Sequence, residues 1–176
     1  MVMTEIKCDI KDINLADQGK NQIEWALKDM PVLREIEQRF IKEQPFKGLK
    51  LSACVHVTKE TAALCTVMKA GGADAVLVAS NPLSTQDDVA AALVKHWGIP
   101  VYGYAGESAE TYRDHVRVAL DHNPNIIIDD GCDIVSTIYA ERPEIAEKIM
   151  GSTEETTTGI IRLQALEAQG VMKAPA

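Results

Sequence analysis

The sequence predicts an α/β fold: a Rossmann-like three-layer sandwich with a mainly parallel sheet, preceded by an N-terminal helical pair. Three observations predict it. Residues 49–55, 74–79, 101–104 and 125–129 are short apolar or β-branched runs. Alanine-rich segments of helical character separate them. The repeat from strand to strand is about 25 residues, the length of a right-handed βαβ unit.

Residues 14–44 read as two helices. Asn14 is placed to cap the first, which carries Ile23, Ala26 and Leu27 with Trp25 nearby. Pro31 opens the second, where its missing N–H removes no bond. There Leu33, Ile36, Phe40 and Ile41 define one apolar face, and Pro45 and Gly48 end the run. Strand 49–55 leads to helix 59–70, strand 74–79 to helix 86–97, strand 101–104 to helix 108–122. Gly71-Gly72 and Gly98 stand where helix C-caps are expected. The units share no repeated side-chain signature, which argues against a solenoid. After strand 125–129, segments 133–142, 143–150 and 159–169 read as helical. Between the last two lies Gly151-Ser-Thr-Glu-Glu-Thr-Thr-Thr-Gly159. Its carboxylates and hydroxyls are poor core material and good ligand material.

The 176 residues are 46% apolar and 25% charged, values of a globular chain with a real core. They are read as a single domain, 1–176, with 1–46 as a helical segment packed on it. No apolar run approaches the roughly 18 residues of a membrane span. The first seven residues lack the pattern of a signal peptide, so a cytoplasmic protein is expected. A net charge of −8 argues against nucleic acid as a partner, which needs a basic footprint. Cys8, Cys54, Cys65 and Cys132 form no C-x-x-C pair and read as reduced thiols.

Open parallel sheets bind ligands beyond the carboxyl ends of their strands. At those ends stand His56-Val57-Thr58, the stretch Ser80 to Asp87, Gly106-Glu107 and Asp129-Asp130-Gly131-Cys132-Asp133. The opposite ends carry Lys47-Gly48, Gly71-Gly72 and Gly98-Ile99-Pro100, ordinary turn chemistry. The asymmetry places a site at the carboxyl edge. Neighbouring strand residues face opposite ways, so Asp129 and Asp130 are expected to divide their roles: one anchors loops, the other faces a ligand. Asp133 is expected to cap the following helix. Three acids there raise the question of a divalent cation, but no second carboxylate-rich loop accompanies them, and no metal ligand is assigned. His56, beside Thr58 and Glu60, is the catalytic candidate among the histidines. His96, His115 and His122 read as surface or helix-end residues, and Tyr102 and Tyr104 as packing. Ser84-Thr85-Gln86-Asp87 reads first as a helix N-terminus with a hydroxyl cap. Thr156-Thr157-Thr158 exceeds what a cap needs and is read as ligand contact. No G-x-G-x-x-G, P-loop or G-x-S-x-G occurs. A dinucleotide site of the glycine-loop type would lie on another domain.

Several long motifs carry a resemblance. They are Ile13-Asn-Leu-Ala-Asp17, Cys54-Val-His-Val-Thr-Lys-Glu-Thr-Ala62, Ser80-Asn-Pro-Leu-Ser-Thr-Gln-Asp-Asp-Val-Ala-Ala-Ala92, Gly98-Ile-Pro-Val101, Asp129 to Asp133, and Glu154-Glu-Thr-Thr-Thr-Gly159. In this order they resemble the substrate-binding domain of S-adenosylhomocysteine hydrolases (adenosylhomocysteinases). Asn81-Pro82-Leu83 and Gly131-Cys132-Asp133 look like the archaeal and thermophilic-bacterial branch.

The resemblance implies reversible cleavage of S-adenosylhomocysteine to adenosine and homocysteine in the methyl cycle, with tightly bound NAD as internal oxidant. Ribose 3′-oxidation acidifies the C4′ proton, homocysteine leaves, water adds, and the ketone is reduced again. By position, His56 and Asp130 are implied as the acid–base groups. Thr58, Glu60, Thr61, Asp130 and Glu155 are implied as substrate contacts, with Glu60 and Thr61 at the adenine edge and Glu155 at the ribose hydroxyls. Thr156, Thr157 and Thr158 are implied to reach the nicotinamide. Val57 and Asp88 depart from many relatives, which have methionine and histidine there. The family's substrate-site lysine and aspartate, its NAD-binding domain and its C-terminal tail are not in this sequence. The chain alone is therefore expected to be inactive, and the complete enzyme to be a homo-tetramer. Two alternatives stand beside this reading: an S-inosylhomocysteine hydrolase of the same family, and a stand-alone nucleoside-binding module without turnover. The Glu60 carboxylate accepts from an adenine amino group and so leans toward adenosine.

Overall fold

The computed structural model describes residues 6–176. The reading of residues 1–7 as no signal peptide thus falls largely outside the described residues. Helices α1 (Ala16–Lys28) and α2 (Pro31–Glu43) precede a five-stranded sheet. Its strands are β1 (Lys50–Val55), β2 (Asp74–Ala79), β3 (Val101–Tyr102), β4 (Ile126–Asp129) and β5 (Gly151–Glu154). Their spatial order is β3-β2-β1-β4-β5, and every pairing is parallel. The chain runs outward from β1 through β2 to β3 and then returns to the other side of β1. The point of reversal lies between β1 and β4, where open α/β sheets form their binding crevice.

Helices α3 (Lys59–Ala70) and α4 (Asp87–Ala92) cover one face, and α5 (Ala109–Asp121), α6 (Asp133–Glu141) and α7 (Thr157–Ala168) contribute to the core on the other. Strand alternation divides the core. Leu51, Ala53, Val55, Leu77 and Ala79 face a cluster with Ile23, Ala62, Val89 and Leu93. Cys54, Val78 and Ile127 face a second cluster with Val116, Leu120, Ile134 and Ile138. Ser52, fully buried in β1, donates its hydroxyl to the Ala119 carbonyl at 2.8 Å, which satisfies that buried polar side chain.

Several local expectations are corrected. Asn14 does not cap α1. It lies in a 3₁₀ turn, Ile13–Leu15, whose cap is Asp12, the acceptor for the Asn14 N–H. Pro31 does open α2, but that helix ends at Gln44, itself left-handed (φ 49°), before Pro45. The last turn after α4, Leu93–Trp97, is π-helical and closes on left-handed Gly98. β3 is only two residues long, and the preceding chain reinforces its outer edge: Asp9 N–H donates to Val101 O, and Gly103 N–H to Asp9 O. Residues 143–150 form not a helix but a single 3₁₀ turn, Ile145–Lys148. Gly151–Glu154, which the sequence presents as ligand loop, is the fifth strand.

His115 is a further correction. It is neither at the surface nor at a helix end, but 4% exposed in mid-α5. Its Nδ1 lies 2.8 Å from Glu107 and its Nε2 3.0 Å from Asp9. His122, in contrast, does lie at the C-terminal end of α5, and His96 reaches Asp17.

The N-terminal helices are fastened through Gly19. A Cβ at that position would lie 1.9 Å from Asp88 O and 2.8 Å from Val89 N, so α1 and α4 touch backbone to backbone. Gly19→Ala gains up to about 1 kcal/mol of helix propensity but forces the two helices apart. A net loss of about 2 kcal/mol is expected, read as a lower urea midpoint with an unchanged slope. An equal or higher midpoint would show that the crossing relaxes freely.

Candidate functional site

The site is built where four strands end. His56 is the first residue after β1, and Ser80 the first after β2. Asp130 is the first after β4, and Glu155 the first after β5. Parallel pairing brings these positions to one edge: Val55 pairs with Ala79, Cys54 with Asp129, and Asp129 with Glu154. His56 Nε2 lies 3.0 Å from Asp130 Oδ2. The Ser80 hydroxyl donates to that same oxygen at 2.9 Å. Oδ1 of Asp130 has no partner among the described residues, so it is the free atom of the carboxylate. The other ring nitrogen, His56 Nδ1, lies 2.5 Å from Ser84 Oγ. Asp130 is nearly covered, its side chain 8% exposed, while His56 is 42% exposed. The ring therefore forms the open side of the pair.

Asp129 and Asp130 divide their roles as alternation requires. Asp129 is 1% exposed and reaches the start of α6. Its Oδ2 accepts the Val135 N–H at 3.0 Å, an unpaired donor in the first turn of α6. Asp133 is thus not the cap. It instead accepts from the Tyr112 hydroxyl at 2.5 Å and from Arg162 at 2.9 Å. Burial pushes the Asp129 carboxyl up to about 7, against the Val135 hydrogen bond, with the charges of Glu154 and Asp133 adding to the rise.

Glu154 shapes the floor. Its Oε1 accepts from Gly131 N–H at 2.7 Å, from Thr156 N–H at 3.0 Å and from the Thr156 hydroxyl at 2.9 Å. One carboxylate oxygen thereby ties the loop after β4 to the loop after β5, and fixes Asp130 and Glu155 relative to each other. A cavity of about 260 Å³ lies along this edge. Val55, Leu64 and Ile128 supply apolar wall, and Thr61, Thr153 and Glu155 supply polar groups.

The sequence-predicted residues are distributed as follows. His56 and Asp130 are in contact, and Thr61 and Glu155 line one cavity. Thr58 caps α3 by accepting the Thr61 N–H and keeps its hydroxyl hydrogen for another acceptor. Glu60 is exposed in the first turn of α3 and stands 3.9 Å from Lys59; it does not line the cavity. Thr156 caps α7 by accepting the Gly159 N–H. Thr157 and Thr158 are exposed in its first turn, their hydroxyls without partners among the described residues.

Sequence reasoning misses Ser80, Ser84 and Glu154. Ser84 has the look of a helix cap, yet the cap position of α4 is Gln86, with no side-chain bond. The available signal is position: Ser80 and Glu154 stand at the carboxyl ends of strands. Among the described residues no group of three or more His, Cys, Asp or Glu side chains is arranged to hold a metal ion, and no helix is long and apolar enough to cross a membrane.

Comparison with known proteins bears on this geometry. Residues 7–143 match the family described as S-adenosyl-L-homocysteine hydrolase. The chain is 60% identical to an adenosylhomocysteinase of Thermosynechococcus vestitus, over 97% of the chain and 40% of that protein. It is 58% identical to an adenosylhomocysteinase of Aquifex aeolicus, over 95% of the chain and 40% of that protein. It is 47% identical to an S-inosyl-L-homocysteine hydrolase of Methanocaldococcus jannaschii, again over 95% and 40%. The chain thus spans about two fifths of the length of the curated relatives it matches.

Proposed function

We propose that this chain, which belongs to the S-adenosyl-L-homocysteine hydrolase family, forms the substrate-binding domain, residues 1–176, of an NAD-dependent enzyme that interconverts S-adenosylhomocysteine and water with adenosine and homocysteine. One observation carries the reading. A histidine–carboxylate pair with a free carboxylate oxygen stands at the switch point of a parallel sheet, along the same edge as a cavity with apolar walls and polar groups.

The family resemblance assigns the chemistry, and the geometry supports it at His56 and Asp130, which are in contact, and at Thr61 and Glu155, which line one cavity. Ser80 and His56 occupy Oδ2 of Asp130, so Oδ1 takes the proton from the ribose. His56 holds or returns a proton through Nε2, as a general acid–base group within hydrogen-bond reach must. Glu155 accepts from the ribose hydroxyls, and Thr58 donates its remaining hydrogen. Thr61 and Glu60 read the adenine edge. The Glu60 carboxylate accepts from an exocyclic amino group. The inosine carbonyl offers no such donor, so Glu60 favours adenosine over an inosine substrate.

NAD fits the donors at the start of α7. Thr157 and Thr158 present free hydroxyls that can hold the nicotinamide carboxamide, and Thr156, spent on capping, fixes their position. Bound there, NAD supplies reversible oxidation of the ribose 3′-hydroxyl. We place its main binding domain in the part of the enzyme corresponding to the relatives' remaining length. A cytoplasmic location and a homo-oligomer belong to the same proposal.

Adenosine titrated into the ¹⁵N-labelled chain tests the site. Amide shifts are expected at His56, Thr61, Asp130 and Glu155, with weak affinity because one domain leaves much of the ligand in water. Shifts confined to the turns at Gly71 and Gly98, on the opposite edge, would overturn the placement.

A further inference from the structure

The hydrogen bonds around His56 constrain more than its position. Asn81 O accepts three donors: the Ser84 N–H at 3.2 Å, the Thr85 hydroxyl at 3.0 Å and the Ser84 hydroxyl at 3.2 Å. The first two satisfy that carbonyl without the third. The Ser84 hydroxyl also stands 2.5 Å from His56 Nδ1. It therefore has two acceptors within reach and one hydrogen.

The loop that carries Ser84 is held at several points. Leu83 N–H donates to Asn81 Oδ1, Gln86 N–H to Val57 O, Lys59 N–H to Gln86 Oε1, and Gly106 N–H to Pro82 O. The oxygen is thus fixed in place and its hydrogen free to rotate.

We propose that Ser84 is a positioning residue for the His56–Asp130 pair, a hydroxyl rotor that keeps Nδ1 hydrogen-bonded in both charge states of the ring. Ionised Asp130 requires a hydrogen on Nε2. In the neutral ring that leaves Nδ1 bare, and the Ser84 hydroxyl turns to donate to it. When the ring takes a second proton, that proton sits on Nδ1 and donates to Ser84 Oγ, and the hydroxyl turns back to Asn81 O. Both charge states are fully hydrogen-bonded, and no heavy atom moves between them. The ring can gain a proton at one nitrogen and release one from the other. Ser80 has the matching role on the acid: it holds Oδ2 and leaves Oδ1 free. Asp130 is the charged group facing the ring. Lys59, three residues on, points instead over the Trp25 ring at 4.3 Å.

The role of Ser84 in turnover rests on the reading of His56 and Asp130 as an acid–base pair, whereas its hydrogen bond to Nδ1 does not. Ring-nitrogen NMR of the ¹⁵N-histidine-labelled chain separates the two. Neutral His56 is expected to show the widely split nitrogen shifts of a fixed Nε2–H tautomer. In Ser84→Ala the Nε2–H tautomer that Asp130 holds should persist, but bare Nδ1, having lost its donor, should move downfield, and Ser84→Thr, which keeps the hydroxyl, should restore its position. The backbone amide spectrum outside residues 80–86 should stay unchanged in both variants, which separates this effect from general loosening. In a complete enzyme, Ser84→Ala should lower kcat about 10-fold or more with KM little changed, and Ser84→Thr should recover most of it. A Ser84→Ala ring whose Nδ1 shift equals the parent's overturns the inference. An Nδ1 shift that does respond, in a chain that shows no adenosine shifts, upholds the role of Ser84 and overturns the functional reading alone.

Discussion

Asp130→Asn in the complete enzyme is expected to lower kcat by about 10²–10⁴-fold while nucleoside affinity changes little. The substitution is close to isosteric. Its amide oxygen can occupy the place of Oδ2, where it still accepts from Ser80 and meets His56 Nε2. The amide nitrogen then stands where Oδ1 stood. That exchanges the free acceptor for a donor and removes the base from the side that faces the ligand. Binding contacts from Thr61 and Glu155 remain, so the loss belongs to the chemical step. Measuring kcat together with adenosine affinity on the purified variant makes the distinction. Normal turnover would reduce Asp130 to a loop anchor and leave His56 as the only acid–base group on this chain.

The neighbouring acid should respond to substitution in the opposite sense. Asp129 is a buried carboxyl raised from 3.8 to about 7, chiefly by desolvation. The folded state holds its proton to higher pH than the unfolded state does. The stability it contributes is therefore fully present below about pH 4 and is lost as pH rises through about 7. Over that window the folding free energy falls by about 1.4 kcal/mol for each step of one in pH, because the folded chain alone carries the proton. Between pH 5 and 8 this single group should therefore remove about 3 kcal/mol, the loss levelling off once Asp129 ionises in the folded chain as well. Asp129→Asn keeps an acceptor for Val135 N–H and cannot ionise, so its stability should be flatter over that range. Urea unfolding at several pH values reads the slope directly. Glu107, also raised by burial, remains in the variant and supplies a residual decline of the same sign. A variant that loses stability between pH 5 and 8 as steeply as the parent would mean Asp129 is already solvated when charged.

The strands that are legible in the sequence are those buried on both faces. β1 and β2 read as continuous apolar runs because helices cover them on either side. β5 has no such signal. Gly151-Ser152-Thr153-Glu154 is strand because the outer edge of β4 offers unpaired backbone groups, a demand set by tertiary structure and absent from these four side chains. The carboxyl edge is legible as a rule of topology, and it correctly gathers His56, Asp130 and Glu155. Their partners are not. Ser84 looks like any helix-start serine until the fold brings it against His56, 28 positions away. His115 likewise reads as an ordinary helical residue. Only Asp9, brought in along β3 from 106 positions away, and the buried Glu107 reveal the enclosure around it.

The strand order also fixes when the site can exist. β1 and β4 lie side by side, but all of α3, β2, α4, β3 and α5 comes between them in the chain. The β1–β2–β3 half can assemble from sequential neighbours. Pairing β4 along β1 closes a far longer loop, at a larger entropic cost. During synthesis His56 therefore emerges long before residue 130, and its acid partner is missing until then. The His56–Asp130 contact is a late event in the life of the chain, set by the same reversal of strand order that opens the crevice.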